Sequence, residues 1–519
     1  MKILDVSSRS VCVLLDAEGD YYAKAPCELE LNGQKLGSRE ESVASLFGLW
    51  PESEYALRAS WPDGKQDTVC FRTLPEAVSL DVRRFGAAGD GLAEDTAALQ
   101  AAILCCPPGG RVMIPEGNYL TGPLFLKSHI TLEIKKGAVL SPLTDRTRFP
   151  ILPGATRTPD EQGEYLLGTW EGNPLDMFAA ALTGIGVEDV RIIGEGVIDG
   201  RAQQGDWWEH HHDKRGAWRG RMLYLRNCRQ VTVQGITFRN SPSWNLHPCF
   251  SEELSFLNVR VEAPKVSPNT DGFDPESCRN VRAYGTVFSV GDDCIAIKSG
   301  KIYMGRAYHT PCEEIEIAWC LMLDGHGGVT IGSEMAGGVR HVRVHHCRMQ
   351  GNDRGLRIKT RRGRGKYAVV DDIRFEDVVM EDVKTPLVIN SMYSCDPDGK
   401  TAYVQSRERQ PVDDTTPTVG SIAYERVHAT GCSACVGFVL GLPERPVREV
   451  AMRECEFRFR SDAEEMVPAM AEGVLPCRRQ GVIARFVERL MLRDVRIEGI
   501  DAPRLIAQDV AVLEDQEAE

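Results

Sequence analysis

The chain has 519 residues and carries 61 lysines and arginines against 75 aspartates and glutamates, a net charge of −14. That balance argues against nucleic acid as a partner, and any acidic ligand would have to be drawn in by a local basic patch. The length exceeds one ordinary domain, and 49 glycines with few aromatic residues suit many short strands and tight turns rather than packed helices.

The first twenty residues are interrupted by Asp5, Arg9 and Asp16, so no signal peptide is expected. No window approaches the roughly eighteen apolar residues of a membrane span, and no membrane partner is expected. The 17 cysteines are scattered, often within strand-like runs such as those of Cys278, Cys294, Cys320 and Cys347. They read as reduced, buried residues of a cytoplasmic protein. Cys432-Ser-Ala-Cys435 has the spacing of half a zinc site, but no second half accompanies it; no metal or other cofactor is expected.

Residues 1–78 alternate apolar and polar positions in SVCVLLDA, CELELNG, YALRASW and DTVCFRT, separated by EGD, NGQ and PDGK. This predicts a small antiparallel β-sandwich. The segment from Leu49-Trp50-Pro51 to Phe71-Arg72-Thr73-Leu74-Pro75 resembles the later strands of a fibronectin type III domain. It holds no catalytic constellation, so a packing or spacer role is expected.

Residues 79–519 are expected to form the second domain. Asp95 stands where a helix N-cap belongs, and the apolar run from Ala97 to Leu104 predicts a helix that ends before Pro107-Pro108 and caps a solenoid. From Arg111 onward strand-like runs repeat, with leading residues Leu254, Val281, Ile315, Val342 and Ile373 about 27 to 34 positions apart. Short strand, bend, short strand and turn are the unit of a right-handed parallel β-helix. A propeller would need four strands per repeat at a steadier spacing. The acidic end beyond Pro503 is expected to fray.

The stretch SPNTDGFDPESCRNVRAYGTVFSVGDDCIAIKSG places Asp271 and Asp292 21 positions apart, about one coil, with Asp293 beside them. Stacked coils lie about 4.8 Å apart, so these carboxylates are expected to be neighbours. His326 in GHGG and Arg357 and Lys359 in RIK follow on later coils. Two carboxyl groups suit glycoside hydrolysis, in which one donates a proton and the other activates water or attacks. Arg357 and Lys359 flank Ile358, so they share a strand face and suit a substrate carboxylate.

SPNTDG, GDDCIAIKSG, GHGG and RIK, in that order, resemble the four signature motifs of the polygalacturonases, glycoside hydrolase family 28. The resemblance implies an all-β, right-handed parallel β-helix that hydrolyses α-1,4 bonds between galacturonate units with inversion and without a metal. It implies Asp292 as general acid, Asp271 and Asp293 as the groups that activate water across a carboxyl gap of about 6.5 to 9.5 Å, and His326 as the residue tuning the acid. Arg357 and Lys359 would grip the substrate carboxylate, with Tyr393 on a later coil and Asn269 orienting Asp271 or touching a sugar.

The front domain and the segment from GHGGVTIGSEMAGGVR through DRGLRIKTRRGRG look like those of bacterial exo-acting relatives. Inserts at 145–174 and 203–221, with Trp207, Trp208, His210, His211, His212 and Trp218, are expected to close one end of the groove. Arg361, Arg362, Arg364 and Lys366 are expected to bind further carboxylates. The expected partner is an oligogalacturonide. A calcium-dependent pectate lyase and a non-catalytic carbohydrate-binding solenoid stand as alternatives, and the sequence leaves the oligomeric state open.

Overall fold

The computed structural model describes residues 1–154 and 166–516. Its first part is a pair of antiparallel sheets: Lys2–Val6, Ser10–Leu14 and Val43–Phe47 face Gln34–Glu41, Tyr22–Leu31, Glu54–Ser60 and Gln66–Arg72. Strand Ser10–Leu14 is buried along its whole length. Side chains alternate across a strand, and here both faces are covered. Val11 and Val13 enter the sandwich core with Leu29, Leu57 and Phe71, whereas Cys12 and Leu14 pack with Val43 against Leu257, Tyr284, Ala318 and Trp319 of the second part. Ser10 donates to Gln234 at 2.8 Å, and Asp5 and Asp20 pair with Arg191 and Arg348, each at 2.6 Å.

The second part is a parallel β-helix beginning at Ser79–Asp81. Leu254, Val281, Ile315, Val342 and Ile373 are direct register partners in successive coils. A second inward column runs Leu223, Leu246, Phe273, Ile295, Val329, Leu356 and Leu387. These residues share one continuous core. Burying a side chain of this size contributes roughly 1.5 to 3 kcal/mol, so each coil is stable only on its neighbours.

The helix Thr96–Cys105 adds Leu99, Ala102 and Ile103 to that core. Asp95 does not cap it: the carboxylate turns back and accepts the amide N–H groups of Ala88 and Gly89 at 2.6 and 3.0 Å. The expected fraying beyond Pro503 is also absent among the described residues, which run to Gln516. Leu505–Gln516 is a full parallel strand on Gln480–Arg493, with Leu505 and Val510 packed against the core.

Trp319→Ala removes the largest ring at the junction of the two parts. We expect it to destabilise the protein by about 3 kcal/mol, read by chemical unfolding, and to speed proteolysis between the two parts.

Candidate active site

Outward positions on the sheet beneath the cleft form two rows. One reads Tyr224, His247, Asp274, Ala296, Thr330, Arg357; the other reads Arg226, Cys249, Glu276, Lys298, Gly332, Lys359. The motif carboxylates stand where chain enters this sheet. The N–H groups of Gly272 and Phe273 donate to the carbonyls of Asp293 and Cys294 at 3.0 and 3.1 Å, and Phe273 pairs with Ile295. The coil therefore advances 22 residues, and Asp293, not Asp292, is the register neighbour of Asp271. That single residue sends the two side chains different ways: Asp293 is 1% exposed and Asp292 26%.

Hydrogen bonds within the turn hold Asp271 in place. The hydroxyls of Ser267 and Thr270 lie 2.5 Å apart, and Thr270 accepts the N–H of Gly291 on the next coil at 3.2 Å. Asn269 has φ +52° and accepts from Arg219 at 2.6 Å. In GHGG, Gly327 is required by proximity, since a Cβ there would lie 2.5 Å from a carboxylate oxygen of Asp293.

Asp293 is clamped by Lys359 at 2.7 Å and Arg357 at 3.5 Å. Burial opposes its ionisation, but these two cations hold it well below the usual carboxylate range. Asp271 has the opposite fate: burial first, and then the charge of Asp292, push it up to about 7. His326 Nδ1 lies 3.4 Å from Asp292 Oδ1, and this contact raises the imidazole above its ordinary value. Tyr393 lies beside both cations, with its ring centre 5.8 Å from the Arg357 guanidinium and 5.4 Å from the Lys359 ammonium. Asn269, Asp271, Asp292, Asp293, His326, Arg357, Lys359 and Tyr393 all line one cleft of about 600 Å³. One oxygen from each of the three aspartates lies within 4.8 Å of the others, closer than the gap expected from the sequence.

The expected outer basic patch is paired with carboxylates, and its three arginines are buried. Arg361 is paired with Asp396 and Asp398 at 2.8 and 2.6 Å, Arg362 is enclosed with Glu444 at 2.6 Å, and Lys366 meets Asp414 at 3.2 Å. Arg364 pairs with Asp396 at 2.5 Å and donates to the Ser333 carbonyl. The glycines between these arginines let the loop fold inward onto carboxylates far along the chain.

Several cleft residues escaped the sequence reading: Lys298, Trp244, Glu334, Glu171, Asp396, Arg354 and Met470. Lys298 lies inside GDDCIAIKSG, one residue beyond inward-facing Ile297, and strand alternation alone could have placed it on the cleft side. The insert aromatics mainly anchor their own loops. Trp207 packs on Phe149 and Phe178, Trp218 stacks on Trp170 at 4.8 Å, and Trp208 donates to the Ser241 carbonyl. His212 alone of the three histidines lines the cleft. Residues 155–165 of the first insert lie outside the described residues.

The elevated Asp271 has a consequence for stability. Its native value lies above the roughly 3.9 of an unfolded aspartate, so the native state holds the proton more tightly. Stability contributed by that proton is full below about pH 4 and is lost as pH rises through about 7. Asp271→Asn is neutral throughout, so its stability relative to the wild type should rise across that window, as measured by chemical unfolding at several pH values.

The family model described as glycosyl hydrolases family 28 matches residues 131–430, more than half of the chain. A probable polygalacturonase of Vitis vinifera is 34% identical over 320 residues, covering 59% of this chain and 62% of that protein, so the match spans less than two thirds of that relative. An exo-poly-alpha-D-galacturonosidase of Dickeya chrysanthemi is 23% identical, covering 70% and 66%. The family 28 exopolygalacturonase of Yersinia enterocolitica shares the fold over 99% of this chain and 97% of its own, with a TM-score of 0.69 at 17% identity. A hyperthermoactive exopolygalacturonase from Thermotoga maritima superimposes with a TM-score of 0.65 at 26% identity, covering 81% and 91%. With its four motifs gathered in one cleft of a parallel β-helix, the chain belongs to glycosyl hydrolases family 28.

Proposed function

We propose that the protein hydrolyses α-1,4 bonds between galacturonate units of pectic oligosaccharides, with inversion, and releases galacturonate from a chain end. The observation that carries this reading is the unequal treatment of three adjoining carboxylates. Asp293, locked ionised by Lys359 and Arg357, cannot be the acid. Asp292 faces the open cleft beside His326 and can reach the glycosidic oxygen. As the C1–O bond breaks, Asp292 delivers its proton to the leaving oxygen, while water bonds to C1 and gives up a proton to Asp271 or Asp293. A carboxylate clamped by two cations is a poor nucleophile, which favours direct attack by water. His326 holds and tunes Asp292, and Arg357, Lys359 and Tyr393 receive the substrate carboxylate next to the scissile bond.

Action at a chain end is supported by what closes the cleft. The turn Trp170–Asn173 presents Glu171, and Gly172 accepts the N–H of Lys301 at 2.8 Å. From the other side, the Met470 carbonyl accepts from Asn390 and Ser394 at 3.1 and 3.0 Å, placing that loop over the RIK strand. Two of the structural neighbours are exopolygalacturonases. A cytoplasmic location belongs to the same proposal, supported by thiols that pack as small apolar residues in the core, all but Cys70, Cys105 and Cys395 being buried.

The three aspartates could ligate a cation through one oxygen each, which is the observation favouring a calcium-dependent eliminase. Against it, Lys359, Arg357 and Lys298 already surround two of these carboxylates. Incubation with tetragalacturonate should release monomer first, with saturated products, unchanged by a chelator. Chelator-sensitive ultraviolet absorbance would establish the eliminase, and early internal fragments would rule out action at the chain end. Proton NMR of the first product should show the β-anomer. Asp292→Asn should lower kcat by several orders of magnitude, about 10³ or more. Lys359→Ala should raise KM and also lower kcat through the freed Asp293; an unchanged KM would remove the carboxylate grip.

A further inference from the structure

Behind the three carboxylates lies a second set of charges whose partners do not balance. Lys298 is 3% exposed and sits in the same outward row as Lys359, two coils before it, with Gly332 between them. Its ammonium lies 3.0 Å from Glu334, 3.6 Å from Asp274 and 3.7 Å from Asp271, above the Trp244 ring at 4.3 Å. Only the Glu334 contact is within hydrogen-bond distance. Three acids thus face one cation.

Asp274 is the deepest of the three. It is 0% exposed, and neither of its oxygens has a hydrogen-bond partner when the residue is taken as ionised. Its surroundings are Asp271, Lys298 and Arg221, and its register neighbours are His247 and Ala296. Leaving an ionised carboxylate in such a place without a donor costs several kcal/mol. A proton on Asp274 removes that cost and creates a donor where Asp271 offers an acceptor. Asp271 itself is faced by Asp292, Asp293, Lys298 and Lys359, and the Lys298 ammonium approaches its Oδ2.

We propose that Lys298 and Asp274 form a positioning pair for Asp271, in which the ammonium stays charged and Asp274 remains a neutral acid that donates its O–H to the rear oxygen of Asp271. The forward oxygen is then left to accept from the attacking water. Glu334 balances the ammonium, held ionised against the cost of burial by Lys298, Lys301 and Arg364. Burial first, and then the charge of Asp271, raise Asp274 well above the usual carboxylate range, in keeping with a neutral acid. Neither residue needs to touch the reacting atoms. The role of the pair in turnover rests on the hydrolase reading above; its protonation state does not.

The test separates the two. Asp274→Leu removes the donor and should raise the titration of Asp271 and lower kcat on trigalacturonate by about tenfold, and Asp274→Asn, a neutral donor of the same shape, should recover most of both. Lys298→Met should shift the titration of Asp271 upward by at least about one unit and lower kcat by about 100-fold. Carbon-13 carboxyl titration of the unliganded protein reads the same shift without any substrate, so it stands even if galacturonates are not turned over. Thermal melting checks that each variant folds, and Lys298→Arg, which keeps the charge, should restore the Asp271 titration if Lys298→Met folds poorly. An Asp274 carboxyl signal that titrates near the ordinary carboxylate range would overturn the proposal. So would a displaced Asp271 titration in Asp274→Asn, or an undisturbed one in Asp274→Leu or Lys298→Met.

Discussion

The parallel register of the coils is the constraint from which the rest of the structure follows. Backbone hydrogen bonding holds neighbouring coils at about 4.8 Å, so residues 22, 34 and 27 positions apart become neighbours whatever the chain does between them. Phe273, Ile295, Val329 and Leu356 are linked in this way. Extra residues are expelled to the side, as in the helix Ile302–Tyr308, which takes up the long step between the Asp-Asp pair and His326. The inward columns supply the stability. The outward rows can then carry side chains that would be costly elsewhere.

Those rows bring like charges together, and the cleft survives because each is answered. Lys359 and Arg357 meet Asp293, and Lys298 meets Glu334, while the glycine at 327 leaves the space that the Asp293 carboxylate occupies. Removing one partner from such a buried pair generally costs about 3 to 5 kcal/mol, so these contacts are as much part of the fold as of the chemistry. Carboxylates so close together do not titrate alike. The cations separate them into one held ionised and one pushed up by burial and by a charged neighbour.

The front sandwich takes no part in this cleft. It rests on Leu257, Tyr284, Ala318 and Trp319, none of which lines the cleft. Ser10–Leu14 is shared by two cores, which explains why that strand is apolar on both faces rather than alternating. The inserts do shape the cleft, through Glu171, His212 and the loop of Met470.

The β-helix was legible in the sequence because its inward columns recur as apolar residues: Leu254, Val281, Ile315, Val342 and Ile373 were readable from spacing and are register partners in the structure. The site motifs were legible because turns beside a functional sheet edge need particular residues, such as Thr270 and Gly327. The spacing also fell one residue short, since counting 21 positions places Asp292 over Asp271, whereas the hydrogen bonds of Gly272 and Phe273 place Asp293 there. The basic run at 361–366 could not be read correctly at all. Its carboxylate partners Asp396, Asp398, Asp414 and Glu444 lie 32 to 82 positions away, and only the folded loop shows that they pair with it. Lys298 is the converse case, an ordinary lysine in a strand-like run until the coils stack three acids around it. Local pattern therefore determined the architecture and named residues that gather in one cleft, because periodicity and turn chemistry are local. Which charges face each other was decided only by tertiary structure, because that depends on the number of residues in each coil and on partners brought from distant loops.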